Sequence, residues 1–214
     1  MKLEEYTDDA VCFAMGLVQF LPSGPGNVVR LLCRPSFHPE VCVTVTPTDI
    51  VTVALHSGLW HEPSAARMPE FSEHAAVSTD DFEGICDAFN ATLAESRRPP
   101  KLVVLCDGMT ASAVRTVAGQ SERYSGHAVN DEERRLVKTV LSLALSKARS
   151  VQLRNRIAWC GRYVSLQDDP AFPVEPEPSL PQPRVSRLLV LGTPEDRASF
   201  HALSGARAAD GRTT

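Results

Sequence analysis

The hydrophobic positions in the first quarter of the chain recur in short, β-branched segments. Residues 11–21 are apolar and end at a Pro/Ser/Gly/Asn cluster at 22–27, which is typical of a turn. Residues 28–33 and 50–55 are further strand candidates, and Val41–Val45 alternates valine with smaller residues, the two-residue period of a strand. Such short spacings favour antiparallel neighbours, because a parallel crossover needs about a dozen residues or more.

The hydrophobic period changes to that of a helix over residues 78–96. Ser78 and Asp81 form a capping-box pattern at its start, and Pro99-Pro100 ends it. The apolar residues recur every three or four positions and share one face: Phe82, Ile85, Cys86, Phe89 and Leu93.

A second helix is predicted from Asn130, its N-cap, with three acidic residues in its first turn. It ends near Ser150 or bends onward through Ile157, and residues 157–166 fit helix or strand equally well. Its buried stripe is predicted to be Leu136, Val137, Val140, Leu141, Ala144, Leu145 and Ala148.

Between these helices the pattern predicts a hairpin. Residues 101–106 form an apolar strand closed by Asp107-Gly108, and Met109–Val117 is its return strand. Residues 119–126 have the composition of a loop.

The last fifth of the chain differs in composition. Six of the 16 prolines fall within residues 168–183, which excludes a helix or a central strand. We therefore predict one domain at 1–167, a proline-rich arm at 168–186 and a short strand and helix at 187–214. The fold class is α+β, a mainly antiparallel sheet with two principal helices on one face.

Charge is distributed unevenly around the modest net value of −4. Residues 1–100 hold 14 acidic and 6 basic residues, a net charge of −8, which repels phosphates and disfavours general nucleic-acid binding. Residues 134–162 instead hold eight basic residues and no acidic one, so nucleic-acid binding there remains an alternative. The bases are Arg134, Arg135, Lys138, Lys147, Arg149, Arg154, Arg156 and Arg162.

The six cysteines show no C-x-x-C pair and mostly sit in apolar segments, which is typical of a reduced, cytoplasmic protein. The histidines and carboxylates of residues 56–74 lack metal-ligand spacing, so we predict no metal and no cofactor. Residues 11–21 are too short to span a bilayer, and the acidic residues that precede this stretch have the wrong charge for a signal peptide.

The motifs that would indicate a phosphate-binding loop or a serine hydrolase are absent from the sequence. A less familiar enzyme remains an alternative, with Cys106 or Asp107 acting together with His127 or His61. The favoured interpretation makes Cys106 a core residue and Asp107 the first residue of a tight turn.

Residues 59–77 combine apolar and acidic side chains without a regular period. Apolar anchors beside acidic groups are the composition of a surface that binds a basic protein, although packing of Trp60 against the sheet edge explains it as well. The candidate protein-binding residues here are Trp60, Glu62, Glu70, Phe71 and Glu73.

One part of the sequence consists of the run from Leu102 to Thr110, a strand, Tyr124-Ser125-Gly126-His127 and a helix with a leucine stripe. This part resembles small bacterial α+β domains of the toxin-immunity type. The resemblance covers residues 101–150 and adds Asp107 and Tyr124 to the candidate site. It implies a non-enzymatic protein that neutralises a cognate toxin. The acidic first half of the chain suits a basic toxin domain as that partner. A homodimer is left open.

Overall fold

A computed structural model describes residues 7–17, 19–22, 26–55, 71–97, 103–106, 108–166 and 188–191, with the backbone alone for 103–106 and 188–191. Four helices are present in these ranges: α1 (Asp8–Ala14), α2 (Thr79–Ser96), α3 (Asp131–Lys147) and α4 (Val151–Arg162). The strands are β1 (Val28–Pro35), β2 (Val41–Val45), β3 (Asp49–Ala54), β4 (Phe71–Ala76), β5 (Val103–Cys106), β6 (Met109–Val117), β7 (Gln120–Gly126) and β8 (Leu188–Leu191).

Six strands form one antiparallel sheet in the order β4-β3-β2-β1-β6-β7. The first four make a meander, and β1 joins it to the β6–β7 hairpin. Helices α2, α3 and α4 cover one face, where Leu31, Val43 and Ala113 meet Phe89, Leu136 and Ile157 in the main core. The α+β class with a mainly antiparallel sheet is therefore confirmed.

The helical layer follows the predicted caps and apolar stripes. The Ser78 hydroxyl accepts from the Asp81 amide, and the Asp81 carboxylate accepts from the Ser78 amide. Asn130 caps α3, whose six predicted core residues from Leu136 to Leu145 are all buried. The ambiguous stretch is a separate helix, because Ala148 is extended and Ser150 caps α4.

Residues 11–21 are not a strand, and this prediction was wrong. Thr7 accepts a hydrogen bond from the Ala10 amide and starts α1, with Asp8 and Asp9 in its first turn. The helix lies on the sheet face opposite α2–α4. Its buried residues pack against strand side chains in a second, smaller cluster, formed by Val11, Cys12, Met15, Phe20, Leu32, Cys42, Val53, Leu55 and Val114.

The predicted hairpin between β5 and β6 is also wrong. β5 pairs with β8 near the end of the chain, whereas β6 lies between β1 and β7. The hairpin partner of β6 is β7, which composition suggested was a loop. Ala118 and Gly119, at φ 50° and 79°, make the two-residue turn whose twist suits adjacent strands.

The strand predicted near the C-terminus is confirmed as β8, and the helix predicted after it lies outside the described residues, as does the proline-rich arm. The division into a domain, an arm and an appendage stays a prediction. No helix within the described ranges could cross a lipid bilayer.

Candidate functional site

Four of the seven predicted site residues lie outside the described ranges: Trp60, Glu62, Glu70 and Asp107. The remaining three, Phe71, Glu73 and Tyr124, occupy separate places in the fold. Phe71 and Glu73 are on the edge strand β4, and Tyr124 is on β7 at the other edge of the sheet. The predicted surface thus stays a prediction for its undescribed members.

Phe71 is half-buried beneath the side chain of Arg156. The guanidinium carbon of Arg156 lies 5.6 Å from the centre of the Phe71 ring and 4.5 Å from that of Trp159. Arg156 also donates to the Leu55 carbonyl oxygen at 3.4 Å. A cation held between two rings fastens α4 to the sheet edge, so at least one base of the 134–162 group has a structural role.

Glu73 holds the start of α4. Its carboxylate accepts from the Arg149 amide at 2.6 Å, the Ser150 amide at 2.9 Å and the Ser150 hydroxyl at 2.5 Å. Burial acts to raise the pKa of Glu73, but these hydrogen bonds outweigh it and leave the pKa below its ordinary value. The group satisfies free amides at a helix N-terminus, and its contacts with α4 leave less of it available to a partner.

Tyr124 is a core residue, 3% exposed. Its hydroxyl is buried and makes no hydrogen bond of normal geometry with the described residues. Burial, and then the nearby Glu133 carboxylate, raise its pKa. Gly126 leaves room for this hydroxyl, since a Cβ atom there would collide with it. The Tyr124 side chain therefore contributes to the fold in this conformation.

The structure describes only one of the four side chains that the enzyme alternative would use, that of His127. His127 follows β7 and its Nδ1 lies 3.5 Å from the Thr110 hydroxyl, at the same end of the hairpin as Gly108, the residue after Asp107. Burial is the main reason that the pKa of His127 is lowered. The side chains of Cys106, Asp107 and His61 lie outside what the structure describes, so this alternative stays untested.

Three other cysteines, Cys33, Cys86 and Cys160, do not resemble activated nucleophiles. Burial raises the pKa of Cys33 to about 12, and burial is likewise the main cause of the raised pKa of Cys160 and of Cys86. In the described ranges no group of three or more His, Cys, Asp and Glu side chains is placed to hold a metal ion.

The exposed side of α2 is acidic, a feature that is absent from the predictions made on the sequence. Asp80, Glu83 and Asp87 lie on consecutive turns of one face, and we call them the α2 acidic stripe. None of the three makes a hydrogen bond or an ion pair with the part of the chain that the structure describes. The helix holds five acidic residues and no basic one. Spacing alone could have revealed this stripe.

The basic residues of 134–162 do not form one surface. Three of the four bases of α3 are near its first turns, where Arg135 pairs with Glu132 at 2.7 Å and Arg134 donates to the Ala128 carbonyl oxygen. Lys147 is some 20 Å farther along the helix, near Asp81 of α2. The group therefore spreads over two helices, and binding of nucleic acid there stays a prediction.

No protein family, no curated protein and no solved structure matches this chain.

Proposed function

We propose that this chain is a non-enzymatic protein-binding domain of the inhibitor or immunity class, and that its partner is a basic protein domain docking on the α2 acidic stripe. The observation that carries the proposal is the stripe itself: three exposed carboxylates on successive helical turns, without a neutralising partner in the described ranges. A basic toxin domain is the partner class that such a surface suits.

The stripe stands on a rigid support. α2 is capped at Ser78 and buries Phe82, Ile85 and Phe89 in the main core, so its outward side chains keep fixed spacings. Preorganised charges of one sign attract an oppositely charged partner and speed its association. Because the carboxylates are exposed, they contribute more to association rate and specificity than to fold stability.

The segment that precedes α2 supplies the other part of the proposed surface. The predicted aromatic and acidic anchors of residues 60–70 precede β4, which leads directly into α2. We expect those residues to supply the apolar part of the interface.

The test compares two variants with the same change in net charge. D80N/D87N removes two negative charges from the stripe, and S142K/S146K adds two positive charges to the exposed side of α3. Wild-type and variant chains are used as bait in lysate of the native host. Each captured protein is then purified, and its dissociation constant is measured at two salt concentrations.

We expect a basic partner whose affinity falls at least ~5-fold for D80N/D87N, stays near the wild-type value for S142K/S146K, and weakens with salt. Expression of that partner should arrest growth, and co-expression of this chain should restore it. Equal binding by both variants would overturn the docking site, and a partner that is harmless when expressed would overturn the inhibitor class.

A further inference from the structure

We propose that Cys12 and Cys42 form a reversible disulfide that ties α1 to the sheet, making the attachment of this helix sensitive to redox conditions. The inference is independent of the proposed function, because it concerns the opposite face of the sheet from α2.

The two thiols meet in the smaller core. Val41, Val43 and Val45 of β2 point toward the helical layer, so the alternation of the strand turns Cys42 toward α1. Cys12 is on the buried side of α1, and the two cysteines share one cluster and are almost completely buried. Their side chains are hydrogen-bonded to each other. Both are free thiols in this structure.

The pair is chemically asymmetric, as an attacking and a resolving thiol would be. The hydrogen bond from Cys42 lowers the pKa of Cys12 more than burial raises it, and Arg30 lowers it further. The same bond and burial raise the pKa of Cys42. Of the two thiols, Cys12 therefore loses its proton more readily, as the attacking thiol in thiol–disulfide exchange does.

The reaction needs an external disulfide, for which oxidised glutathione is the simplest. The Cys12 thiolate attacks one sulfur of glutathione disulfide, a mixed disulfide forms and one glutathione thiolate leaves. The Cys42 thiol then loses its proton and attacks the Cys12 sulfur, which releases the second glutathione. Two protein thiols are oxidised, and one glutathione disulfide is reduced to two glutathione molecules.

Access to the buried sulfurs comes from the way α1 is attached. This helix has only seven residues, and polar contacts fix its first turn: Asp8 pairs with Arg34 and Arg123, and Asp9 accepts from the Phe20 amide. A short helix held in this way opens more readily than the main core. Each opening exposes Cys12, and each closing returns it to Cys42.

The experiment uses the full chain, reduced and then brought to equilibrium with excess glutathione disulfide. Free thiols are alkylated, and the protein is mapped by mass spectrometry without reduction. We expect one linkage, between the peptides that contain Cys12 and Cys42, with Cys42 rather than Cys33 identified by fragmentation. The melting temperature should rise by roughly 5–10 °C, since the link closes a loop of ~30 residues, and dithiothreitol should reverse it.

Variants C12S and C42S should each abolish the linkage and the rise in melting temperature, whereas C86S on α2 should keep both. Cys33 and Cys160 provide an internal control, because they are buried in the main core and should remain alkylatable after denaturation. The proposal would be overturned by glutathione left on either cysteine at equilibrium, by a different pairing, or by the absence of any linkage in the wild-type chain. None of these results depends on whether a variant folds.

Discussion

The two faces of the six-stranded sheet are built by different means. On the helical face, three capped helices bury a continuous set of aliphatic and aromatic residues. On the other face, a seven-residue helix covers a smaller cluster, and charged and hydroxyl side chains stand between the apolar ones. The first face depends on buried area, which acts without direction, and the second on a few directed contacts.

The polar contacts of the second face are concentrated around α1. The guanidinium of Arg30 donates to the carbonyl oxygens of Gln19 and Phe20, at 2.6 and 3.2 Å, and Arg123 stacks on the Phe20 ring. Asp8 lies between Arg34 and Arg123. The helical face is therefore a strongly packed unit, whereas the attachment of α1 to the sheet depends on individual polar groups.

The largest expected effect is on the helical face. Phe89→Ala removes a completely buried ring from α2 and should lower the free energy of unfolding by about 3–5 kcal/mol. Chemical denaturation followed by circular dichroism measures this loss. Phe13→Ala, on the exposed side of α1, is the control and should change stability by less than ~0.5 kcal/mol. A similar loss in both variants would contradict the division between the two faces.

A smaller and local effect is expected at Asp8. Asp8→Asn removes the negative charge that contacts Arg34 and Arg123 and should cost about 2–3 kcal/mol, mainly in the attachment of α1. Hydrogen exchange should become faster at the amides of Val11 and Cys12, while those of α2 keep their protection. If exchange increased equally in α2, α1 would belong to the same cooperative unit as the main core.

The smallest expected effect is at the start of α4, and it depends on pH. Glu73→Gln weakens the acceptor for the Arg149 and Ser150 amides and should cost about 1 kcal/mol at pH 7. The folded-state pKa of Glu73 is depressed, so its contribution is present above the unfolded pKa and is lost as pH falls through the folded value. The difference in stability between the wild type and the variant should therefore begin to shrink as the pH falls below about 4.3, the ordinary pKa of a Glu carboxyl. A difference that stays constant from pH 7 down to the pH at which the chain unfolds would contradict the charge-based account.

The sequence alone determined the elements whose signals are local. The capping box of Ser78 and Asp81, the apolar stripe of α3 and the alternation of Val41–Val45 depend on neighbours a few residues apart, and all three are confirmed. The antiparallel class followed from the short spacings between strands. Among the site candidates, the sequence supplied residue types and charge without supplying their environment.

The tertiary structure decided every feature that depends on distant residues. β5 pairs with β8 across more than 80 residues of chain, which an Asp-Gly hairpin signal cannot reveal. The same holds for Glu73 at the start of α4, for Tyr124 in the core, and for Cys12 beside Cys42. Side-chain environment arises from packing between elements, and packing is a property of the whole fold, whereas caps and periodicity are properties of a few consecutive residues.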